Sequence, residues 1–115
     1  MHWTEIAPRI AGGVVVLDLR GQMTLSGEEP PQLLQRIRRA VEDGHRSVLL
    51  NLAHVSYVDS TGIGEIVGAY TRVVREGGTL KLCAVSPRIQ ELLDTTNLGS
   101  VIESYATEAD ALASF

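Results

Sequence analysis

The hydrophobic residues of this chain follow two patterns. Short, nearly continuous apolar runs are typical of buried β-strands, and apolar residues that recur every three or four positions are typical of amphipathic helices. The runs predict five strands, at residues 6–10, 14–19, 47–52, 80–85 and 101–105. The helical spacing predicts four helices, which open at Pro30, Asp59, Pro87 and Thr107. Residues 21–27 and 53–58 are predicted to be loops.

The order of these elements predicts the fold class. Strands alternate with helices as β-β-α-β-α-β-α-β-α, which favours a largely parallel sheet with right-handed crossovers. The first two strands, joined by Gly12-Gly13, are expected to form a hairpin that adds an antiparallel edge. The 115 residues suffice for one domain, and no repeat or linker interrupts them. We therefore expect a single compact α/β domain over residues 1–115, with a mixed, mostly parallel sheet of four to five strands and about four helices.

Charge and composition narrow the classes of partner and compartment. Ten basic residues stand against fourteen acidic ones, a net charge of −4, and no polybasic run is present, so we expect neither a nucleic-acid nor a membrane partner. The longest apolar stretch, residues 14–17, is far shorter than the ~20 residues of a membrane-spanning helix. The first residues lack the pattern of a signal peptide. A lone Cys83 in a predicted buried strand cannot form an internal disulfide, which favours the cytoplasm.

The residues that enzymes and metal sites require are not grouped in this sequence. A serine hydrolase would have glycine where Val58 stands, and all three histidines precede Ser60, the opposite of the order in α/β-hydrolases. No Walker lysine and no complete dinucleotide-binding fingerprint occur. Three dispersed histidines and one cysteine make no metal site. We therefore expect no catalytic residues, no cofactor and no metal.

One polar segment lies where an α/β sheet places functional groups, between a buried strand and a helix. It reads Asp59-Ser60-Thr61-Gly62-Ile63-Gly64. If Asp59 is the N-cap, its carboxylate can accept the backbone N–H of Thr61 or Gly62, and Val58 and Ile63 occupy the positions of a hydrophobic staple. Ser60 is then the first helical residue, with an outward hydroxyl at a terminus that favours negative charge. The alternative is an ordinary well-capped helix without a further function.

Glycines continue into this helix at Gly64 and Gly68. Each glycine inside a helix costs ~1 kcal/mol relative to alanine, so their presence needs a reason. Four positions apart, they share one helix face and leave a side-chain-free patch beside Ser60. Either another protein's backbone approaches this patch, or the glycines let the helix pack closely against its own sheet or a neighbouring helix.

Residues 51–64, together with the strand that begins at Leu80, resemble the STAS domain, specifically the anti-sigma factor antagonist family. The resemblance covers essentially the whole chain, because residues 98–115 are similar to the last strand and helix of that family. It implies a bacterial, non-catalytic regulator of transcription. In such proteins the serine after the aspartate is phosphorylated by an anti-sigma factor with a histidine-kinase-like ATPase fold.

The resemblance implies a partner switch in the stress response. The unphosphorylated antagonist binds the anti-sigma factor and frees a sigma factor, the phosphorylated form is released, and a serine phosphatase resets it. Carried over to this chain, Ser60 is the phosphoacceptor and Asp59 its orienting neighbour. The partner-binding residues are Asp59, Thr61, Gly62, Gly64 and Gly68.

Two positions depart from the family pattern. Members often carry Gly-Glu-Leu-Asp after the second strand, where this chain has Gln22 and Thr24 in place of the two acids. The loss of both carboxylates leaves two other STAS classes open. These are an unphosphorylated scaffold of a stressosome-like assembly and an accessory subunit of a lipid transporter.

Overall fold

Five strands form one mixed sheet in the computed structural model, which describes residues 3–23 and 32–115, and the side chains of 6–21 and 33–115. The strands lie in the order β1-β2-β3-β4-β5. Their bounds are β1 Trp3–Ala11, β2 Val14–Met23, β3 Ser47–Val58, β4 Thr79–Cys83 and β5 Ser104–Tyr105. The helices are α1 Gln32–Glu42, α2 Ser60–Arg75, α3 Pro87–Thr95 and α4 Glu108–Ala113. The predicted order, fold class and number of elements are confirmed.

The sheet is antiparallel only at one edge. β1 pairs with β2 as a hairpin, and the pairs β2–β3, β3–β4 and β4–β5 are parallel. In this arrangement the carboxyl ends of β2, β3 and β4 meet at one edge of the sheet, and the turn into α2 lies at that edge.

Two of the predicted loops were wrong in whole or in part. Residues 53–58 continue β3, and 21–23 continue β2; residues 24–27 lie outside the described chain. These two extensions pair with each other, as Gly21 with Val55 and Met23 with Val58. The register shifts between Asp18 and Arg20 and again after Gly21, so the period-two alternation that identifies a strand is broken here.

Smaller corrections concern the ends of elements. The last strand is limited to Ser104–Tyr105, since residues 101–103 do not continue it. In α4 the buried residue is Ala111, whereas Ala109 is exposed, as is Phe115 beyond the helix. The Thr107 side chain accepts the backbone N–H of Asp110, and this cap fixes the rotation of a six-residue helix. The predicted opening of a helix at Pro30 lies outside the described residues.

The core lies mainly on one face of the sheet. There α1, α2 and α3 pack against the strands, and the largest fully buried side chains include Leu33, Ile37, Leu50, Leu52, Ile66, Leu82 and Leu93. A smaller cluster under α4 covers part of the other face, with Val14, Val16, Leu49, Cys83 and Ala111. Cys83 is buried as expected, and burial raises the pKa of its thiol to about 11, so the thiol stays protonated and unreactive.

A charged network ties α4 to this second face. Arg9 on β1 donates to Asp18 at 2.6 Å and to both carboxylate oxygens of Glu108, and Asn51 donates to Glu108 at 3.1 Å. The Arg9 guanidinium beside it holds the pKa of Glu108 below its usual value. Because Asp18 and Glu108 are both paired with Arg9, this network is explained by its role in holding α4 against the sheet. No helix among residues 3–23 and 32–115 is long and apolar enough to cross a membrane.

Candidate functional site

The turn from β3 into α2 has the capping geometry that the sequence predicts. Asp59 is the N-cap of α2 in an extended conformation, and its carboxylate accepts the backbone N–H of Gly62 at 3.0 Å. Val58 and Ile63, at the two staple positions, are 6% and 7% exposed. The Asp59 side chain therefore satisfies one of the free backbone donors in the first turn of α2, and the Ser60 hydroxyl has no capping role.

Ser60 is the first residue of α2 and is exposed to solvent. Its hydroxyl makes no hydrogen bond with any residue that the structure describes. By contrast, the Ser56 hydroxyl near the end of β3 donates to the carbonyl of Gly21 at 3.3 Å. Thr61 is also exposed, one position further around the helix. Ser60 thus presents a free hydroxyl at the positive end of a 16-residue helix dipole.

The two glycines of the predicted patch differ in their surroundings. Gly64 is exposed, and a Cβ added there would meet no atom within 4 Å. A Cβ added at Gly68 would lie 3.5 Å from both methyl carbons of Leu34 on α1. The Gly68 face therefore meets α1 at ordinary van der Waals distance, and Gly64 extends the open surface beside Ser60. Whether a partner uses this surface stays a prediction.

Matched substitutions at the two glycines are expected to show that the surroundings of Gly64 are open and that Gly68 lies against α1. Gly64→Ala should raise the free energy of unfolding by up to about 1 kcal/mol, since alanine is the better helix former and the site is open. Gly64→Gln should also be tolerated, whereas Gly68→Gln should lower stability because its side chain must displace Leu34. Urea unfolding of the four proteins, wild type included, measures this. Equal losses for both glutamine variants would contradict the assignment of Gly68 to the α1–α2 contact.

Glu65 joins the site to α1, a role that sequence reasoning missed. Its carboxylate accepts the backbone N–H of Leu33 in the first turn of α1, and burial together with the charge of Asp59 raises its pKa. The oxygen Oε1 is buried without a hydrogen-bond partner among the described residues. Leu33 and Glu65 are far apart in sequence, so no local pattern predicts this contact.

The N-terminus of α3 also lies at this edge, which the sequence analysis did not anticipate. Tyr57 is 43% exposed and lines a groove of about 260 Å³ together with Ser86, Arg88 and Leu92 of the α3 region. The Tyr57 side chain is therefore exposed at this edge. Because β3 and β4 are parallel, their following segments meet at the same edge.

The polar groups described at this edge include the exposed Ser60 hydroxyl and the side chains that line the groove. His54 is on β3, in a depression of the opposite sheet face with Arg9 and Asp18, and does not approach Ser60 as a base. No group of three potential metal ligands occurs within residues 3–23 and 32–115. What the edge offers is an exposed hydroxyl, an open helix face and a groove, which suit modification and binding by another protein.

Comparison with known proteins agrees with this description. Residues 5–111 match the profile of the STAS domain. The anti-sigma-B factor antagonist of Bacillus subtilis is 36% identical over 86 residues, which are 71% of this chain and 78% of that protein.

Solved structures share the fold. An anti-sigma factor antagonist from Mycobacterium paratuberculosis superposes with a TM-score of 0.82 at 24% identity, over 96% of this chain and 92% of the other. The Bacillus cell fate determinant SpoIIAA in its phosphorylated form gives 0.72 at 22% identity, over 95% and 97%. With the profile match and the Bacillus subtilis relative, the resemblance inferred from the motif is confirmed: this chain belongs to the STAS domain family, among the anti-sigma factor antagonists.

Proposed function

We propose that this protein binds a serine-kinase anti-sigma factor while Ser60 is unphosphorylated and is released when Ser60 is phosphorylated. The free, exposed hydroxyl of Ser60 at the start of α2 is the observation that supports this role most directly. The relative from Bacillus subtilis is named an antagonist of an anti-sigma factor, which supports the same class of partner. Release of the antagonist would leave the anti-sigma factor free to bind its sigma factor and lower transcription.

The phosphoryl transfer has a simple chemical description. The Ser60 oxygen attacks the γ-phosphorus of ATP bound to the anti-sigma factor, its proton passes to a base of that kinase, and ADP leaves. A kinase of the histidine-kinase-like ATPase fold supplies the nucleotide, and a serine phosphatase reverses the step by hydrolysis. This chain therefore acts as substrate and binding partner and needs no catalytic group of its own. The circuit operates in the cytoplasm.

The fold should accept the added charge. A phosphate brings about −1.5 to −2 charges to the positive end of α2, a favourable place for an anion. The first turn of α2 contains no acidic residue, although Asp59 caps the helix and Glu65 follows in its second turn. The unfavourable effect of the phosphate is thus expected at the partner interface rather than within the domain.

The proposed contact surface consists of Asp59, Ser60, Thr61 and Gly64. Gly62 and Gly68 contribute indirectly, since Gly62 is buried and bonded to Asp59 and Gly68 faces Leu34. Gly62 therefore stabilises the start of α2 through this cap, and Gly68 lies where α2 contacts α1.

Gln22 favours a second candidate, an unphosphorylated STAS scaffold of a stressosome-like assembly. It lies in β2 and pairs with Tyr57 of β3, so the residue that departs from the family pattern is close to the site. Thr24, the second departure, lies outside the described residues. An accessory subunit of a lipid transporter remains the third candidate; it would be recovered with membranes rather than with a sigma-factor circuit.

Incubation with the anti-sigma factor kinase and ATP tests the proposal. We expect one phosphate per molecule, located on Ser60 by fragmentation mass spectrometry, and no labelling of Ser60→Ala. Ser100→Ala is the matched control, because Ser100 is an exposed serine outside the proposed contact surface and should not reduce labelling. Labelling that persists in Ser60→Ala would overturn the assignment, and a complex that forms without any labelling would favour the scaffold.

A further inference from the structure

The layer of helices on the core face stops before it reaches the edge strand. Ile6, Pro8 and Ile10 of β1 share this face, since Pro8 pairs with Leu17 and Ile10 with Val15 of β2, both of which are buried. Ile6 is 7% exposed but Ile10 is 59% exposed, the largest value for a big hydrophobic side chain in the described part of the chain. None of the described residues therefore covers this end of the core face.

A cleft of about 320 Å³ lies between β1 and α1 at this point. Ile10, Val15 and Ala40 contribute apolar surface to it, while Arg36, Arg39 and Asp43 contribute charged groups. The side chains of Arg36 and Arg39 make no ion pair or hydrogen bond with any described residue. An apolar depression beside two unpaired guanidinium groups is suited to a ligand that is both apolar and anionic.

The charge around the cleft is opposite to that of the protein as a whole. Residues 36–46 contain four arginines and two carboxylates, a local charge of +2 in a chain whose net charge is −4. Arg9, on the other face, is already paired with two acids of the chain, but Arg36 and Arg39 are not. Their charge is available to a partner.

We propose that this cleft binds an acidic amphipathic helix of a partner protein. Such a helix beside α1 would continue the helical layer over β1, cover Ile10 with its apolar stripe and place carboxylates near Arg36 and Arg39. An added β-strand fits less well, because Pro8 has no N–H to donate at the edge. An anionic membrane fits less well too, because the net charge of −4 opposes it and the surface is concave.

This surface is independent of the phosphorylation site. The cleft lies near the start of β3, where Val15 pairs with Val48, and Ser60 follows its end. Ten residues of strand separate Val48 from Val58, roughly 30 Å at the usual rise per residue. The domain could therefore hold this partner and its kinase at opposite ends, and the proposal does not depend on the role of Ser60.

A synthetic helical peptide of about 16 residues, with leucines at i, i+3, i+4 and i+7 and glutamates beside them, is the probe. Titrated into ¹⁵N-labelled protein, it should shift the amide signals of β1 and α1. Arg36→Glu and Arg39→Glu should each weaken binding about tenfold or more, and Ile10→Ser should weaken it similarly. Arg38→Glu is the matched control, since Arg38 is exposed on α1 but does not line the cleft.

The same titration defines the results that would overturn the proposal. Absence of binding at millimolar peptide, or equal weakening by Arg38→Glu, would show that the cleft does not select such a helix. Cleft-dependent binding to vesicles of phosphatidylglycerol, or a cleft-dependent dimer of this chain in sedimentation, would assign the surface to another occupant. Ser60→Asp should leave peptide binding unchanged, so failure of the switch and failure of the cleft are distinguishable.

Discussion

Ser60→Asp is expected to weaken the complex with the anti-sigma factor by roughly thirty- to two-hundred-fold, equivalent to about 2–3 kcal/mol. A carboxylate at this exposed position stands in for part of the phosphate charge and lies beside the open surface at Gly64. At the interface with a docked partner, this carboxylate would be poorly solvated and would repel acidic groups of the partner. Isothermal titration with the anti-sigma factor measures the change.

The fold should be nearly indifferent to the same substitution. The Ser60 side chain makes no hydrogen bond with a described residue, so little is lost, and a negative charge at the start of α2 interacts favourably with the helix dipole. We expect a change in unfolding free energy of less than about 0.5 kcal/mol. Normal melting with weakened binding would separate an interface effect from misfolding.

Two controls sharpen this test. Ser60→Ala should bind like the wild type, since the unphosphorylated form is the binding form and alanine adds no charge. The second control is Glu91→Gln, which changes a charge on the exposed side of α3 at the groove rather than on α2. It should show whether any charge change at this edge alters binding. Binding that is insensitive to Ser60→Asp would contradict the switch and favour a scaffold.

The start of α2 could be predicted from sequence because its determinants are local. Asp59 and Gly62 are three positions apart, and the cap they form depends only on residues of one turn. The same holds for Ser86, whose hydroxyl accepts the N–H of Ile89 at the start of α3. Short-range patterns of this kind allowed the order and type of the elements to be predicted.

The features that were missed depend on residues far apart in sequence. Residues 53–58 become strand because β2 continues beside them through two register shifts, which no local pattern reports. Gly68 meets Leu34 only after α1 and α2 have packed. Arg9 and Glu108 are 99 positions apart. A single sequence without related sequences contains no signal for such contacts, so the cleft beside α1 could not be predicted either.

Lys81 illustrates a long-range contact with a large expected effect on stability. This β4 residue is 6% exposed, and its ammonium donates to the carbonyl oxygen of Ser114 at 2.8 Å and to the Ser114 hydroxyl at 2.9 Å. It lies 3.4 Å from a carboxylate oxygen of Glu103, and 5.0 and 5.6 Å from the ring centres of Phe115 and Tyr105. One cation thus joins β4 and β5 to the residues that follow α4.

Lys81→Ala is therefore expected to lower the free energy of unfolding by about 2–4 kcal/mol, because it leaves a cavity and removes the donor from Ser114. Lys81→Met keeps most of the apolar contact of the side chain and should cost less, since well-packed apolar replacements of buried charges are often tolerated. Glu103→Gln should change stability little, because Glu103 is 62% exposed and surface ion pairs contribute little. Urea unfolding gives these differences, and hydrogen exchange of the α4 amides should accelerate most in the alanine variant. Equal losses in Lys81→Ala and Glu103→Gln would instead show that the ion pair, rather than the contacts with Ser114 and the two rings, holds α4 in place.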